Sequence, residues 1–502
     1  MENQRKSFTQ IILKNSVWNF VTAFIDKVGA LIFLIIISRF LMPEGFGLYS
    51  LVLAIAFIFS TFADLGMNSA LIMYVSDSIG KNKKSLAAAY YRFILKTKFI
   101  FTLSASLIII FLSYPISHLI FKNPQMFFPL LVSGFYIFVL SFESLYTSLF
   151  FAINQVKYIS IKELLSHILK IIFSLIALFL LASSYHVTGI FVSLMLASLL
   201  TILFIVHYLK KISPFIFSEK KYEPIDKIRV LKFLSYLSLL SVSAAFFSYV
   251  DLIMIGMFIS DPKYAGFYSA ASKLVFSVAG IFSFANILLP IFTQIKKNRL
   301  KDAFNKVFKY TMMLAVPVAF GLAVLGRYFI RLIFGYDYLP ASYPLGILAL
   351  LLIPGIVFGL FMSMLSAKEK LKKLTHLFIF INVLNIVLNY IFINWFLRYS
   401  LLWATVGAAI STVICWYIYF AGALFIMHRC LKIEIKISHL IKPIIASFVM
   451  ALSIYYASLL FKDITLASGI LLVFLGIAVY LVVLCLIKGI SWKDITDLKI
   501  SK

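Results

Sequence analysis

Two stretches of this chain contain no charged residue over a length that only one environment accommodates: Leu401–Met427 and Ile464–Ile487. At about 1.5 Å of rise per helical residue, each is long enough to cross the roughly 30 Å hydrocarbon core of a bilayer. Other runs of the same character recur along the 502 residues. Hydrophobic residues make up 63% of the sequence and charged residues only 13%, too few to cover the surface of a soluble protein of this size. Period-two alternation is absent, which argues against a membrane β-barrel. The reading is an all-α integral membrane protein.

About fourteen helices of some twenty residues are predicted, near 15–38, 48–75, 93–114, 127–151, 163–183, 187–208, 233–259, 264–291, 305–326, 341–366, 374–396, 401–427, 440–461 and 466–487. The net charge of +27 does not indicate nucleic acid, because the basic residues are scattered through short connectors rather than gathered on one soluble face. Instead they report topology. With the N-terminus in the cytoplasm, 37 lysines and arginines fall on the cytoplasmic side and 7 on the other; Lys27 and Lys273 lie inside spans. Cytoplasmic connectors retain basic residues, so both termini are expected in the cytoplasm. The basic, apolar N-terminal stretch is expected to be a permanent first span, since it runs too long for a signal peptide. Cys415, Cys430 and Cys485 lie far apart with no CxxC pair, and no HExxH occurs, so no cofactor or metal is expected.

An internal repeat organises the chain. Pro43-Glu44-Gly45-Phe46-Gly47-Leu48-Tyr49-Ser50 recurs 219 residues later as Pro262-Lys263-Tyr264-Ala265-Gly266-Phe267-Tyr268-Ser269, each in the outer turn between the first two spans of a six-span block. Ser148 and Ala152 echo in Ser363 and Ala367, and Gly189 in Gly407, at nearly the same offset. Two six-helix lobes are therefore predicted, 1–215 and 216–430, with two additional helices and a tail in 431–502. An even span number gives both lobes one orientation, so their pseudo-twofold axis should run along the membrane normal. Such paired repeats enclose a substrate pathway and alternate its access by rocking; duplication can also yield a static scaffold.

Ionisable residues inside spans are costly and need a role. Asp26 and Lys27 lie near mid-depth of the first span and Asp64 at similar depth in the second. A Lys27–Asp64 pair across that hairpin is thus possible, either as plain neutralisation or with Lys27 free to attract a phosphate. Asp251 and Lys273 lie about 13 Å from the outer turn and make a second set, a salt bridge or a tuned cation. Glu143 stands alone in the fourth span, structural or ion-coupling. Arg39 flanks the outer turn, placed for interface anchoring or an outer gate. Asn382, Asn385 and Asn389 share one helix face, where amides can bind sugar hydroxyls or join helices. Pro354-Gly355 is the candidate hinge.

The segment Ser38-Arg39-Phe40-Leu41-Met42-Pro43-Glu44-Gly45-Phe46-Gly47-Leu48-Tyr49, followed by Asp64-Leu65-Gly66, resembles the N-terminal signature of polysaccharide-biosynthesis (O-antigen) flippases, members of the multidrug/oligosaccharidyl-lipid/polysaccharide exporter superfamily. Val406-Gly407-Ala408-Ala409-Ile410-Ser411-Thr412 is similar to that family's twelfth-span opening. The resemblance implies two six-helix lobes in a bacterial inner membrane and movement of undecaprenyl-pyrophosphate-linked oligosaccharide to the outer leaflet. Lys27, Lys273, Arg39 and the three asparagines would then contact substrate. Asp26, Asp64, Asp251 and Glu143 would carry a coupling H+ or Na+ or form charge pairs. The protein is expected to act as a monomer among membrane lipids. A cation-coupled exporter of small amphipathic molecules is the alternative. A membrane glycosyltransferase or polymerase is a remote one, since the outer connectors are short and carry no paired carboxylates.

Overall fold

A computed structural model describes residues 2–218, 223–282, 292, 300–368, 371–433, 438–461 and 465–489. Among them there is no strand. Among the described residues, twelve helical stretches are long and apolar enough to span a membrane, and the first of these, 64 residues, is long enough for two crossings. The chain is thus a multi-pass α-helical membrane protein, as the uncharged runs require. The chain divides into two compact units, Met1–Gly266 and Phe267–Lys502. The second half of the eighth expected span, residues 283–291, and the tail from 490 onward lie outside the described residues.

The first unit contains α1 (Glu2–Asp64), α2 (Met67–Gly80), α3 (Lys84–Pro115), α4 (Phe127–Ala152), α5 (Val156–Leu180), α6 (His186–Ile212), α7 (Lys227–Phe258) and the start of α8 (Pro262–Ile281). At 63 residues α1 would reach about 95 Å if unbroken. It is interrupted at Met42, whose φ of 56° and ψ of 173° are not helical. Pro43 accounts for the extended ψ, because a proline pushes the residue before it out of the α region; the positive φ of Met42 is a further departure. A second break follows the last residue of α1: Leu65 and Gly66 have φ of 43° and 81°, and the helix restarts as α2 at Met67. The second expected span is therefore two helices joined at an unwound dipeptide. Gly66 is required there twice over, by its left-handed backbone and because a Cβ would lie 2.6 Å from the Leu237 Cβ.

The two copies of the repeated turn meet. A Cβ on Gly47 would fall 1.8 Å from the Pro262 carbonyl oxygen, and one on Gly266 would fall 2.2 Å from the Pro43 carbonyl oxygen. The contact is reciprocal: the glycine of each copy receives the proline carbonyl of the other. Small residues at a helix crossing let backbones approach closely enough for Cα–H···O contacts, in lipid as in water. The sequence similarity of the copies thus has a local steric reason.

The second unit continues α8 and contains α9 (Leu300–Ile333), a 3-10 turn Tyr336–Ala341, α10 (Ser342–Leu348), α11 (Leu352–Ala367), α12 (Leu371–Leu397), α13 (Leu401–Leu431), α14 (Ser438–Ser458) and α15 (Leu466–Leu486). Pro317 lies within a continuous α9. The tenth expected span is broken by a 3-10 turn at Ala349–Leu351, so Pro354 falls in the first turn of α11, where it removes no intrahelical hydrogen bond. Gly355 beside it faces open space on its side-chain side.

Candidate functional site: a polar cavity and a buried charge belt

The unwound dipeptide after Asp64 adjoins a cavity of about 410 Å³ in the first unit. Non-helical backbone at membrane depth is tolerated where protein or a water-filled space satisfies it. Helices α1, α2, α4 and α7 contribute hydroxyls from Ser60, Thr61, Ser144, Ser241 and Ser248, the Asn68 amide and the Asp64 carboxylate. One wall is aromatic: Phe57 and Tyr249 stack with ring centroids 5.8 Å apart and planes 14° from parallel. Thr61 and Ser248 donate their hydroxyl protons to carbonyls one turn back, at 2.9 Å and 2.8 Å. Both oxygens therefore remain acceptors towards the cavity.

Below this wall a network fixes the polar groups. The Lys98 Nζ donates to the Asp64 Oδ1 at 2.6 Å and to the Asn68 Oδ1 at 2.8 Å, and the Asn68 Nδ2 donates to the Ser144 Oγ at 2.6 Å. Lys98 is completely buried, whereas Asp64 keeps 30% of its side chain exposed. The expected Lys27–Asp64 pair is not formed: Asp64 takes Lys98, and Lys27 lies 3.7 Å from its own neighbour Asp26. The physical reason is geometric. Lys98 on α3 brings its Nζ to 2.6 Å from Asp64 with no access to solvent, and a buried ammonium must be paired, whereas Lys27 keeps 60% of its side chain exposed beside Asp26.

Glu143 is not solitary. Its Oε1 lies 3.0 Å from the Nζ of Lys162 on α5, which also reaches Glu163 at 2.9 Å, and both Glu143 and Lys162 are buried. One turn further along α5, His167 faces Asp26 of α1, with Nε2 and Oδ1 separated by 3.6 Å. Gly29 makes room for that imidazole, since a Cβ there would lie 2.4 Å from the ring. The Thr22 and Ser160 hydroxyls, 2.6 Å apart, join the same two helices. Asp26, Glu163 and His167 offer ligand atoms that all lie within 4.8 Å of one another. Two carboxylates and an imidazole at that spacing can share a proton or hold a small cation.

Lys98, Lys162, Glu163 and His167 are not singled out by the sequence, because lysines near span ends are indistinguishable there from connector charges. Depth was the available signal: Lys98 lies fourteen residues into α3, about 21 Å along its axis.

The other anticipated residues are dispersed. Arg39 is exposed near the end of the first half of α1. Beyond the break, Glu44, Lys122, Asp261 and Lys263 line a second cavity of about 410 Å³ at the repeated turn. There a hydrogen bond from the exposed Lys263 ammonium to Asp261, at 2.8 Å, holds the lysine above its usual pKa. Asp251 is buried in α7 and Lys273 half-buried in α8. In the second unit, Asn385 and Asn389 are fully buried and Asn382 nearly so. Asn389 donates to the Asn385 Oδ1 at 3.2 Å, Asn385 donates to the Thr412 Oγ1 at 3.4 Å, and Ser411 donates to Asn389. Asn385 and Asn389 thus join α12 to α13, whereas Asn382 donates back to the Phe378 carbonyl of its own helix at 2.8 Å.

Comparison with known proteins accounts for this architecture. The family model for polysaccharide biosynthesis proteins matches residues 12–296, more than half of the chain, and that for the lipid II flippase MurJ matches residues 267–475. A probable low-salt glycan biosynthesis flippase, Agl15, of Haloferax volcanii is 26% identical over 184 residues, 35% of this chain and 36% of that protein. The chain thus spans about a third of the length of that curated relative. Among solved structures, the inward closed conformation of the lipid II flippase MurJ superposes with a TM-score of 0.74 at 18% identity, over 96% of this chain and all of that one. An inward-facing multidrug resistance MATE family transporter of the MOP superfamily gives 0.60 at 16% identity, over 80% and 95%. Those two likenesses establish the fold, and the family match reaches further: the chain belongs to the polysaccharide biosynthesis protein family.

Proposed function

We propose that this protein is a flippase that carries an isoprenoid-pyrophosphate-linked oligosaccharide from the cytoplasmic to the outer leaflet by alternating access. The observation that carries the reading is the hydroxyl- and amide-lined cavity at the Asp64-Leu65-Gly66 break. A sugar presents many hydroxyls and few charges, so its site needs donors and acceptors on a rigid wall, and an apolar flat surface for its C–H face. Ser60, Thr61, Ser144 and Asn68 supply the first, and the Phe57–Tyr249 stack the second. Because Lys98 is held by Asp64, the cavity does not present a bare cation, which suits a glycan better than a phosphate. Lys27, 60% exposed on α1, and Lys273 remain the candidates for the pyrophosphate. The flippase names of the relatives support the same class of cargo. We take the protein as a transporter rather than an enzyme, acting as a monomer in a bacterial inner membrane with both termini cytoplasmic, as the lysine asymmetry indicates.

The cluster of Asp26, Glu163 and His167 favours ion coupling, in this flippase or in the alternative, a cation-coupled exporter of small amphipathic molecules. One experiment separates them. The protein is reconstituted in liposomes with a fluorescent undecaprenyl-pyrophosphoryl sugar, and exposure in the opposite leaflet is followed. The flippase reading expects movement that falls at least tenfold in Lys27→Ala and in Ser144→Ala/Thr61→Ala. Absence of movement with any lipid-linked sugar, beside efflux of a cationic dye that Asp26→Asn abolishes, establishes the exporter instead.

A further inference from the structure

We propose that a basic pocket between α9, α14 and α15 binds the phosphate of an anionic membrane phospholipid. The pocket encloses about 90 Å³ and is lined by Lys309, Lys442, Lys488 and His439, with no carboxylate among the described lining residues. Its position is rigid. Tyr480 of α15 donates its hydroxyl to the Met313 carbonyl of α9 at 2.7 Å, above a packed cluster that includes Leu325, Met450, Leu472 and Leu484. Lys442 donates to the Lys488 carbonyl at 2.8 Å and so ties the end of α15 to the start of α14. Ser438 and His439 open α14, so the positive end of that helix dipole adds to the lysines at the same point.

What selects a lipid over a soluble anion is the surface beside the pocket. Ile441 and Ile445, one turn apart on α14, are 49% and 46% exposed, and Leu486 in the last turn of α15 is 75% exposed. A phosphodiester seated among the lysines places its acyl chains along this apolar face. Basic pockets between membrane helices are suited to such headgroups, and each lysine near the surface contributes several-fold to binding. The lysine count assigns this end to the cytoplasmic leaflet, the side that holds most of the chain's basic residues. The site lies wholly in the second unit and shares no residue with the sugar cavity, so it is independent of the cargo. Its consequence would be that the two terminal helices are held to α9 more firmly in anionic bilayers.

The test uses the full-length protein in detergent micelles, titrated with pyrene-labelled phosphatidylglycerol and competed by unlabelled phosphatidylglycerol, phosphatidylcholine or inorganic phosphate. Wild type should prefer phosphatidylglycerol to phosphatidylcholine. Lys309→Gln/Lys442→Gln/Lys488→Gln should weaken phosphatidylglycerol binding about a hundredfold, taking a factor of roughly five for each lysine. Lys81→Gln/Lys83→Gln/Lys84→Gln, which removes the same charge from the α2–α3 connector, should leave the affinity unchanged. Lys309→Gln alone spares the Lys442–Lys488 hydrogen bond and should weaken binding about fivefold; it decides the matter if the triple variant does not fold. Equal binding of phosphatidylglycerol by wild type and the pocket variants overturns the proposal, as does an equal loss in the connector variant. Displacement by phosphatidylcholine as readily as by phosphatidylglycerol overturns it too. Full displacement by inorganic phosphate reassigns the pocket to a soluble anion.

Discussion

The reciprocal contact of the two repeated turns makes a sharp prediction about Gly47→Ala. A methyl group there would sit 1.8 Å from the Pro262 carbonyl oxygen, whereas such a carbon and oxygen are at rest about 3.3 Å apart. The strand of backbone carrying Pro262 would have to retreat by about 1.5 Å, and no rotamer change can relieve the clash because the obstacle is main chain. The same retreat opens the mirror contact between Gly266 and the Pro43 carbonyl, now at 2.2 Å from a hypothetical Cβ. Overpacking a tight site costs about 1–3 kcal/mol, and losing the two Cα–H···O contacts adds about 1–2 kcal/mol, so the variant should lose about 2–5 kcal/mol. Helix propensity pulls the other way: alanine in a helix interior is favoured over glycine by about 1 kcal/mol, which leaves a net loss of about 1–4 kcal/mol. The sign of the effect is therefore diagnostic. Equilibrium unfolding of the full-length protein in mixed micelles, with increasing sodium dodecyl sulfate, measures it. Gly346→Ala, where nothing lies within 4 Å of the new Cβ, is the control and should be neutral or slightly stabilising. If Gly47→Ala proves as stable as wild type or more so, the close approach of the two turns is refuted.

Three further outcomes follow from the charge belt and the break in the tenth span. In the same unfolding assay Lys98→Met should cost about 3 kcal/mol by stranding Asp64, and Asp64→Leu/Lys98→Met should recover most of it, since a buried pair replaced whole is often nearly neutral. Lys162→Met leaves two carboxylates facing each other and should destabilise more than Glu143→Gln, which leaves Lys162 paired with Glu163; the reverse order would show that Lys162 does not bridge them. Gly355→Ala fits the structure without contact, so its unfolding should match wild type while transport in liposomes falls at least fivefold if α11 bends there during the cycle; unchanged transport removes Gly355 as the hinge.

Relations between helices were harder to see in the sequence than the helices themselves. The sequence places Asp64 near mid-depth and allows Lys27 as its partner, but the ion pair is made with Lys98. Counting basic residues by side treats a lysine near a helix end as solvated, because it can snorkel, and only packing shows that Lys98 and Lys162 turn inward instead. Glu143 looked alone for the same reason. The asparagine stripe on α12 was visible as a shared face, but periodicity cannot say whether that face meets a cavity or a neighbouring helix. Here it meets Ser411 and Thr412 of α13.

The uncharged runs by themselves determined that the chain is an all-α membrane protein, because in hydrocarbon every backbone amide must be satisfied within its own helix. The repeated Pro-to-Gly turn likewise announced the duplication, since proline and glycine act on the backbone through local sterics that the sequence states outright. Which carboxylate holds which lysine, and that the two repeated turns lie against each other, only the tertiary structure decided. Those outcomes depend on separations of a few ångströms between residues 19 to 223 positions apart, from Glu143–Lys162 to Pro43–Gly266, and the interaction energy of a pair follows its distance and burial, neither of which the order of residues contains.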